Sequence, residues 1–205
     1  FIHEEKSPKG VSSYITIQEG CDKFCAFCVV PFTRGPEYSR SVINIVEETK
    51  SLIDRGTKEI ILLGQNVNAY SYSDEQDMTY SISKLIDEIS KLDNVKRIRY
   101  TTSHPNNMDQ ELMRLHGSNE KLMPFLHLPV QSGSDEILKN MNRKYSIDEY
   151  KKIIDGLKTY CPNIEISSDF IIGFPGETKK DFQETLALID YAQFSSRFGV
   201  IYRPL

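Results

Sequence analysis

Cys21, Cys25 and Cys28 put three of the chain's four cysteines into one short loop, CDKFCAFC. Thiolates grip soft metals, and closely spaced cysteines hold zinc or iron–sulfur clusters. A disulfide framework suits short, cysteine-dense secreted chains, and three thiols in one loop leave one unpaired. Structural zinc needs a fourth ligand. Cys161 lies far downstream, and His104 or His127 are the other donors, so zinc stays open as the weaker alternative. Three local thiolates with no fourth nearby suit a [4Fe-4S] cluster, each binding one iron and leaving one iron site open for an outside ligand. Phe24 and Phe27 stand between the cysteines, either as a screen against water, which influences a cluster's potential, or as ordinary core.

Such a loop needs a rigid frame, and the remaining sequence supplies one in regular order. Strands are expected at Ser13–Ile17, Glu59–Leu63, Arg97–Thr101, Phe125–Leu128, Ile164–Ile172 and Arg197–Tyr202, where β-branched and aromatic residues cluster. Helical periodicity fills the intervals: Val42 to Ile53 behind Ser41 and ending at Gly56, Ile82 to Leu92, and a short helix around Met108 to Leu115. Further on, Ser134 can cap a helix carrying Ile137, Leu138 and Met141. Ser146 with Glu149 forms a capping box ahead of Tyr150, Ile153, Ile154, Leu157 and Cys161, and Thr178 with Asp181 starts the last helix. Ser71 to Thr79 reads as an exposed, irregular excursion.

Strand and helix therefore alternate, which implies a parallel sheet with helical crossovers, either open and doubly wound or curled. The unusual segments choose between them. The cysteine loop, GQNVN, TSHP, LPVQSGS and GFPGE each follow an expected strand, and in a barrel such loops converge on one mouth. The fold class expected is α/β, a partial (βα)6 TIM-like barrel.

Composition narrows the setting. The 205 residues suit one large domain or two small ones, and 39% hydrophobic content supports a sizeable core. A net charge of −4 supplies no global field for polyanions. No apolar run approaches the roughly 20 residues of a membrane span, so no membrane partner is expected. Residues 1–12 read as a charged interdomain linker without the marks of a signal peptide, and 13–205 as the core domain. Free thiols without a secretion signal point to the cytoplasm.

Taken together, CDKFCAFCVVPFTRG, LLGQNVNAY, TTSHP, FLHLPVQSGSD and SSDFIIGFPGET resemble the radical S-adenosylmethionine (SAM) methylthiotransferase family. Within it, GQNVNAY is most similar to the enzymes acting on N6-dimethylallyladenosine beside the tRNA anticodon. Relatives acting on threonylcarbamoyl-adenosine or on a ribosomal-protein aspartate are the alternatives. The resemblance implies a radical SAM type of partial barrel and two cofactors, a [4Fe-4S] cluster on Cys21, Cys25 and Cys28 and SAM on its open iron. The implied reaction is homolytic cleavage of SAM to a 5′-deoxyadenosyl radical, hydrogen abstraction at adenine C2 and insertion of a methylthio group there.

The same resemblance implies SAM-facing roles. Gly64, Gln65 and Asn66 would meet the methionine amino group, and Ser103 would present a hydroxyl to the mouth beside His104. Gln131 and Ser132 would face the ribose and carboxylate, with Ser134 kept as a cap. Asp169, Ile171 and Gly173 would serve the adenine side, Asp169 as a carboxylate buried within an apolar strand. The Asn142-Arg143-Lys144 charge would either meet the SAM carboxylate or form a solvated helix end. His127 depends on which face of its strand it occupies, Cys161 reads as inert core, and His3 and His116 as peripheral. The family also implies a second iron–sulfur cluster in an amino-terminal domain, a carboxyl-terminal RNA-binding domain, a reducing electron donor, and a tRNA substrate engaged through the full-length protein. Both flanking domains are expected to lie outside this stretch.

Overall fold

Strands form where branched and aromatic residues can cover a pleated surface, and among the described residues six such segments pair in parallel, the last of them exposed along its length. The computed structural model describes residues 10–203. The six are β1 (Ser12–Thr16), β2 (Glu59–Leu63), β3 (Arg97–Tyr100), β4 (Phe125–His127), β5 (Glu165–Ile172) and β6 (Ser196–Ile201). β1, β2 and β3 pair in parallel, with Ser12 opposite Glu59 and Glu59 opposite Arg97. β4, β5 and β6 do the same, with Phe125 opposite Glu165 and Ser196 opposite Ser167. The halves meet where Ile98 bridges Leu122: Ile98 N–H reaches Lys121 O at 2.7 Å and Met123 N–H reaches Ile98 O at 3.0 Å.

Spatial order thus follows chain order throughout. A doubly wound sheet would reverse at a switch point; this one curls in a single direction. Among the described residues β1 and β6 do not pair with each other, so the barrel stays open. The partial (βα)6 barrel is the observed fold.

Among the described residues seven α-helices accompany the strands: α1 (Val30–Arg34), α2 (Val42–Asp54), α3 (Ile82–Ser90), α4 (Gln110–Ser118), α5 (Asp135–Asn140), α6 (Ile147–Tyr160) and α7 (Lys179–Ala192). Their apolar stripes meet the strands in one core. Ile45 and Leu52 of α2, Leu85, Ile86 and Ile89 of α3, and Tyr150, Ile154 and Leu157 of α6 join Ile15, Ile60, Leu62, Ile98, Leu126 and Phe170 there. Both expected capping boxes are present, Ser146 with Glu149 on α6 and Thr178 with Asp181 on α7. Ser134 Oγ caps α5 as expected.

Several elements depart from the sequence expectation. Ser41 precedes α2 but its side chain makes no cap hydrogen bond. The excursion 71–79 is a hairpin, Ser71–Ser73 against Thr79–Ser81. α4 starts two residues later than expected because Asp109 Oδ1 accepts from Leu112 N–H at 2.8 Å and sets its start. Cys161 is the residue that ends α6 rather than part of its face, though it is buried as expected. His116 is buried, not peripheral, with Nε2 2.7 Å from the Tyr100 hydroxyl. α1 and the small antiparallel ribbon Gln18–Glu19 with Tyr38–Ser39 carried no signal clear enough to expect. Of the expected linker 1–12, only 10–12 fall within the described residues; His3 falls outside them. Among the described residues no helix is long and apolar enough to cross a membrane.

Candidate metal centre at the barrel mouth

The cysteine loop springs from the carboxyl end of β1 and is closed at its base. Cys21 N–H bonds Gly35 O at 3.2 Å, just ahead of the ribbon strand Tyr38–Ser39. Within the loop, Cys28 N–H turns back on Cys25 O at 2.9 Å. The tip docks on the end of α5, where Ala26 N–H bonds Met141 O at 3.0 Å and Asn142 Nδ2 donates to Phe24 O at 2.7 Å. Phe24 itself has φ +50°, an uncommon conformation for a side-chain-bearing residue. All three thiols are free, Cys25 buried and the other two half-buried. Burial raises the Cys21 thiol's pKa, with Glu37, Cys25 and Cys28 adding to it and a backbone hydrogen bond at Lys23 opposing.

Strain marks the same end of the barrel. Thr102, Gln131 and Asn142 also carry positive φ, at +71°, +78° and +58°, on the segments following β3, β4 and α5. Such conformations cost energy and collect at ligand-binding sites. For a β-branched residue such as Thr102 the conformation is a genuine outlier.

The loop after β2 grips the cysteine loop. Gln65 Oε1 accepts from Gly20 N–H at 2.8 Å, immediately before Cys21. Asn66 N–H bonds Gln18 Oε1 at 3.0 Å, and its Nδ2 donates to Glu37 at 2.8 Å. A Cβ on Gly64 would lie 2.6 Å from Gln18 Oε1 and 2.9 Å from Gln18 O, so the close approach that requires glycine there is to Gln18. The loop after β3 locks onto the loop after β2: Val67 N–H bonds Thr102 O at 2.8 Å, while Asn68 and His104 exchange hydrogen bonds of 2.9 and 2.8 Å.

Three buried polar atoms in these two loops have no partner among the described residues: Asn66 Oδ1, Ser103 Oγ and His104 Nε2. Buried polar atoms are nearly always satisfied, so three orphans together point to a missing ligand. His104 accepts Asn106 N–H on Nδ1 at 3.3 Å. Burial, with help from the Arg143 and Lys23 charges, pushes its pKa down to about 2, so the ring is neutral and carries its proton on Nε2.

Arg143 is the largest surprise. Its sequence context leaves two readings, a charge meeting the SAM carboxylate or a solvated helix end; the second does not hold, because Arg143 is only 5% exposed. Nη1 stands 3.5 Å from Cys25 Sγ, Nε donates to Tyr145 Oη at 2.9 Å, Nη2 donates to Pro129 O, and the guanidinium lies 5.2 Å from the Tyr145 ring centre. Nothing in the one-dimensional pattern distinguished it from a surface Arg; its burial follows from α5 ending against the cysteine loop. Gln18, wholly buried in the ribbon just after β1, also carried no sequence signal; its burial comes from packing beneath Gly64 and bonding Asn66 N–H.

The remaining expected residues divide. Ile171 lines an open cleft of about 690 Å³ with Phe27, Gly199, Val200, Ile201, Tyr202 and Arg203. Phe27 packs with Ile171 and Tyr202 beside Ile137, Met141 and Phe174, whereas Phe24 is exposed against Phe32. Gly173 follows β5 at φ +76°. Gln131 is half-buried, and its backbone bridges Phe170 of β5. Asp169 is not the buried carboxylate anticipated: its side chain is 39% exposed, with Oδ2 3.3 Å from His127 Nε2. His127 Nδ1 in turn meets Ser167 Oγ at 2.9 Å. Ser132 turns away, fully buried, its hydroxyl accepting from Ser134 N–H at 3.2 Å and facing Thr185 at 3.5 Å.

The donor set suits a cluster better than zinc. Cys161 caps α6 just ahead of β5, at the opposite end of the strands from the mouth, with Sγ on Asn163 Oδ1 at 3.3 Å. It cannot complete a tetrahedron with the loop. Among the described residues no group of three His, Cys, Asp or Glu side chains is gathered closely enough for one ion. Three separate soft donors beside a buried cation fit an anionic polynuclear cluster.

Comparison with known proteins agrees with this geometry. Over 201 residues the chain is 55% identical to the tRNA-2-methylthio-N(6)-dimethylallyladenosine synthase of Anaplasma phagocytophilum (strain HZ), covering 98% of this chain and 45% of that protein. It is 50% identical over 203 residues to the protein of that name from Rickettsia akari (strain Hartford), covering 99% and 46%. The chain thus spans somewhat less than half the length of these curated relatives. Among solved structures, the radical SAM methyltransferase TsrM from Kitasatospora setae superposes with a TM-score of 0.73 at 16% identity, covering 94% of this chain and 37% of that one. Methylornithine synthase (PylB) gives 0.61 at 16% identity, covering 94% and 53%. The family model described as the Radical SAM superfamily matches residues 15–189, and with three free thiols on the loop after the first strand of an open parallel barrel, the chain belongs to the radical SAM superfamily.

Proposed function

We propose that this chain is the radical-generating core of a tRNA methylthiotransferase acting at C2 of N6-dimethylallyladenosine. The observation that carries the reading is the loop of Cys21, Cys25 and Cys28 at the barrel mouth, in a chain 50–55% identical to relatives bearing that activity in their names. In this reading the three thiolates hold a [4Fe-4S] cluster with one open iron. The chemistry supplied by the bound cluster and SAM is one-electron reductive cleavage of the sulfonium to a 5′-deoxyadenosyl radical.

The protein's part is to bind, orient and exclude water. Asn66 Oδ1 and Ser103 Oγ, unpaired and buried, receive the methionine end of SAM; Gln65 acts one step back by holding Gly20 and thus the loop. Gly64 contributes by letting Gln18 pack beneath that loop. Ile171 and Gly173, with Phe27, form the apolar side for adenine. Gln131, half-buried, and Asp169, partly exposed beside His127, take the ribose and the substrate side, whereas Ser132, buried against Thr185, serves the packing of α7.

Methylthio transfer further calls for a second iron–sulfur cluster and the main tRNA-binding surface. We place both in the part of the relatives' length that this chain does not span, along with a low-potential electron donor and a cytoplasmic setting. Anaerobic reconstitution tests the core reading. About four irons and four sulfides per chain, and 5′-deoxyadenosine on adding SAM and dithionite, are expected. Tight zinc without sulfide overturns it. Supplying tRNA or ribosomal protein to a full-length relative then separates the substrate alternatives.

A further inference from the structure

We propose that Arg143 is the permanent countercharge of the cluster, shifting its one-electron equilibrium toward the reduced form through Cys25. This inference rests on the cluster reading above. Arg143 is almost wholly buried, and a buried ion is costly unless paired. Among the described residues no carboxylate lies within 4.0 Å of its guanidinium. Three of its partners, the Pro129 carbonyl, the Tyr145 hydroxyl and the Tyr145 ring, are neutral and only hold it in place. The fourth, Cys25 Sγ at 3.5 Å, is the one that bears negative charge once it ligates iron.

The charge accounting gives the direction. Three thiolates on a 2+ core carry a net charge of −1, and one added electron makes this −2. A fixed positive charge in a desolvated site favours the more negative state. A hydrogen bond to a ligating sulfur acts the same way on a cluster's potential. The electron comes from a low-potential one-electron donor, dithionite in the test below. The core goes from 2+ to 1+, and no proton moves, because the guanidinium stays charged. The neighbouring ring of His104 is neutral and adds no competing positive charge beside Arg143, whose Nη1 reaches Cys25 Sγ at 3.5 Å. Arg143 is a positioning and tuning residue rather than a catalytic one.

The test is a dithionite titration of the anaerobically reconstituted chain, followed by the electron paramagnetic resonance signal of the reduced cluster. R143Q is expected to lower the reduced-to-oxidised ratio at fixed solution potential by about tenfold, equivalent to about 59 mV for a one-electron couple. R143K, keeping the charge but losing the planar fork, is expected to fall between R143Q and the unaltered protein. Y145F, which keeps the charge, shifts less than either. If R143Q does not load a cluster, R143K carries the test, with a lower potential expected. A potential unchanged in whichever Arg143 variant loads overturns the inference while leaving the cluster reading intact. Failure of the unaltered chain to take up iron and sulfide overturns both.

Discussion

Gly20 and Pro36 cross so closely that a Cβ on Gly20 would lie 2.0 Å from the Pro36 carbonyl oxygen. Gly20 also has φ +76°, so it alone among the loop's residues meets both a conformational and a steric demand. This crossing shuts the base of the cysteine loop, one residue before Cys21. Gly20→Ala should cost about 2–4 kcal/mol, combining left-handed strain with overpacking against backbone. Thermal melting checks the cost, and iron content after reconstitution should fall with it.

Single Cys→Ala changes at 21, 25 or 28 should each abolish the cluster's absorbance and sulfide content. Cys161→Ala should leave both unchanged, because that thiol sits at the far end of β5, and cost only about 1 kcal/mol of stability. Iron and sulfide counts on the four variants distinguish a three-thiol cluster from any site that recruits Cys161.

Asp181 accepts hydrogen bonds from Ser134 Oγ and Thr178 Oγ1, both at 2.6 Å, and from Thr178 N–H at 2.8 Å. These bonds hold its carboxyl down at about 2, below its ordinary 3.8. A depressed folded pKa means that the stabilisation is present above pH 3.8 and is lost as pH falls through about 2. Denaturation midpoints between pH 5 and 2 should therefore drop less steeply in Asp181→Asn, which starts from a lower stability.

His116 and His104 act over a different window. Burial lowers His116 to about 4 and His104 to about 2, from an ordinary 6.5. The unfolded chain binds these protons first, so stability falls as pH drops below 6.5, toward about 4 for His116 and lower for His104. His116→Asn should flatten the pH 6.5–4 part of that slope, read from urea midpoints, because it removes one group whose buried neutral form must be charged on unfolding.

Asp169 and Ser132 should separate cleanly. Asp169→Ala, at a half-exposed position, should change stability by no more than about 0.5 kcal/mol and weaken SAM binding by the reconstituted protein. Ser132→Ala should cost about 1 kcal/mol from lost buried hydrogen bonds and leave SAM affinity unaltered. Calorimetric titration with parallel melts measures both.

Much of this was written in local pattern. Alternating strand and helix signals, two capping boxes and five polar loops each following a strand were enough to indicate a curled parallel sheet. The three cysteines were legible as a metal loop because their chemistry is carried by residue type and spacing alone. Asp169 and Ser132 were harder, because period-2 reasoning in a strand and cap reasoning at a helix start do not say which direction a side chain faces once α7 packs down. Arg143 was hardest: three consecutive polar residues after a helix look solvated in any one-dimensional reading.

One dimension, then, suffices for what depends on near neighbours along the chain: the thiol loop, the helix starts, the strand order implied by crossovers. Contacts between residues more than a hundred positions apart emerge only on folding. Arg143 meets Cys25, and Asn142 meets Phe24, because the curl of the sheet brings the loop after β1 and the end of α5 to one mouth. Burial, and with it the charge state of His104 and the electrostatic setting of Cys25, follows from that packing, since desolvation is a property of the surrounding volume and not of the residue itself.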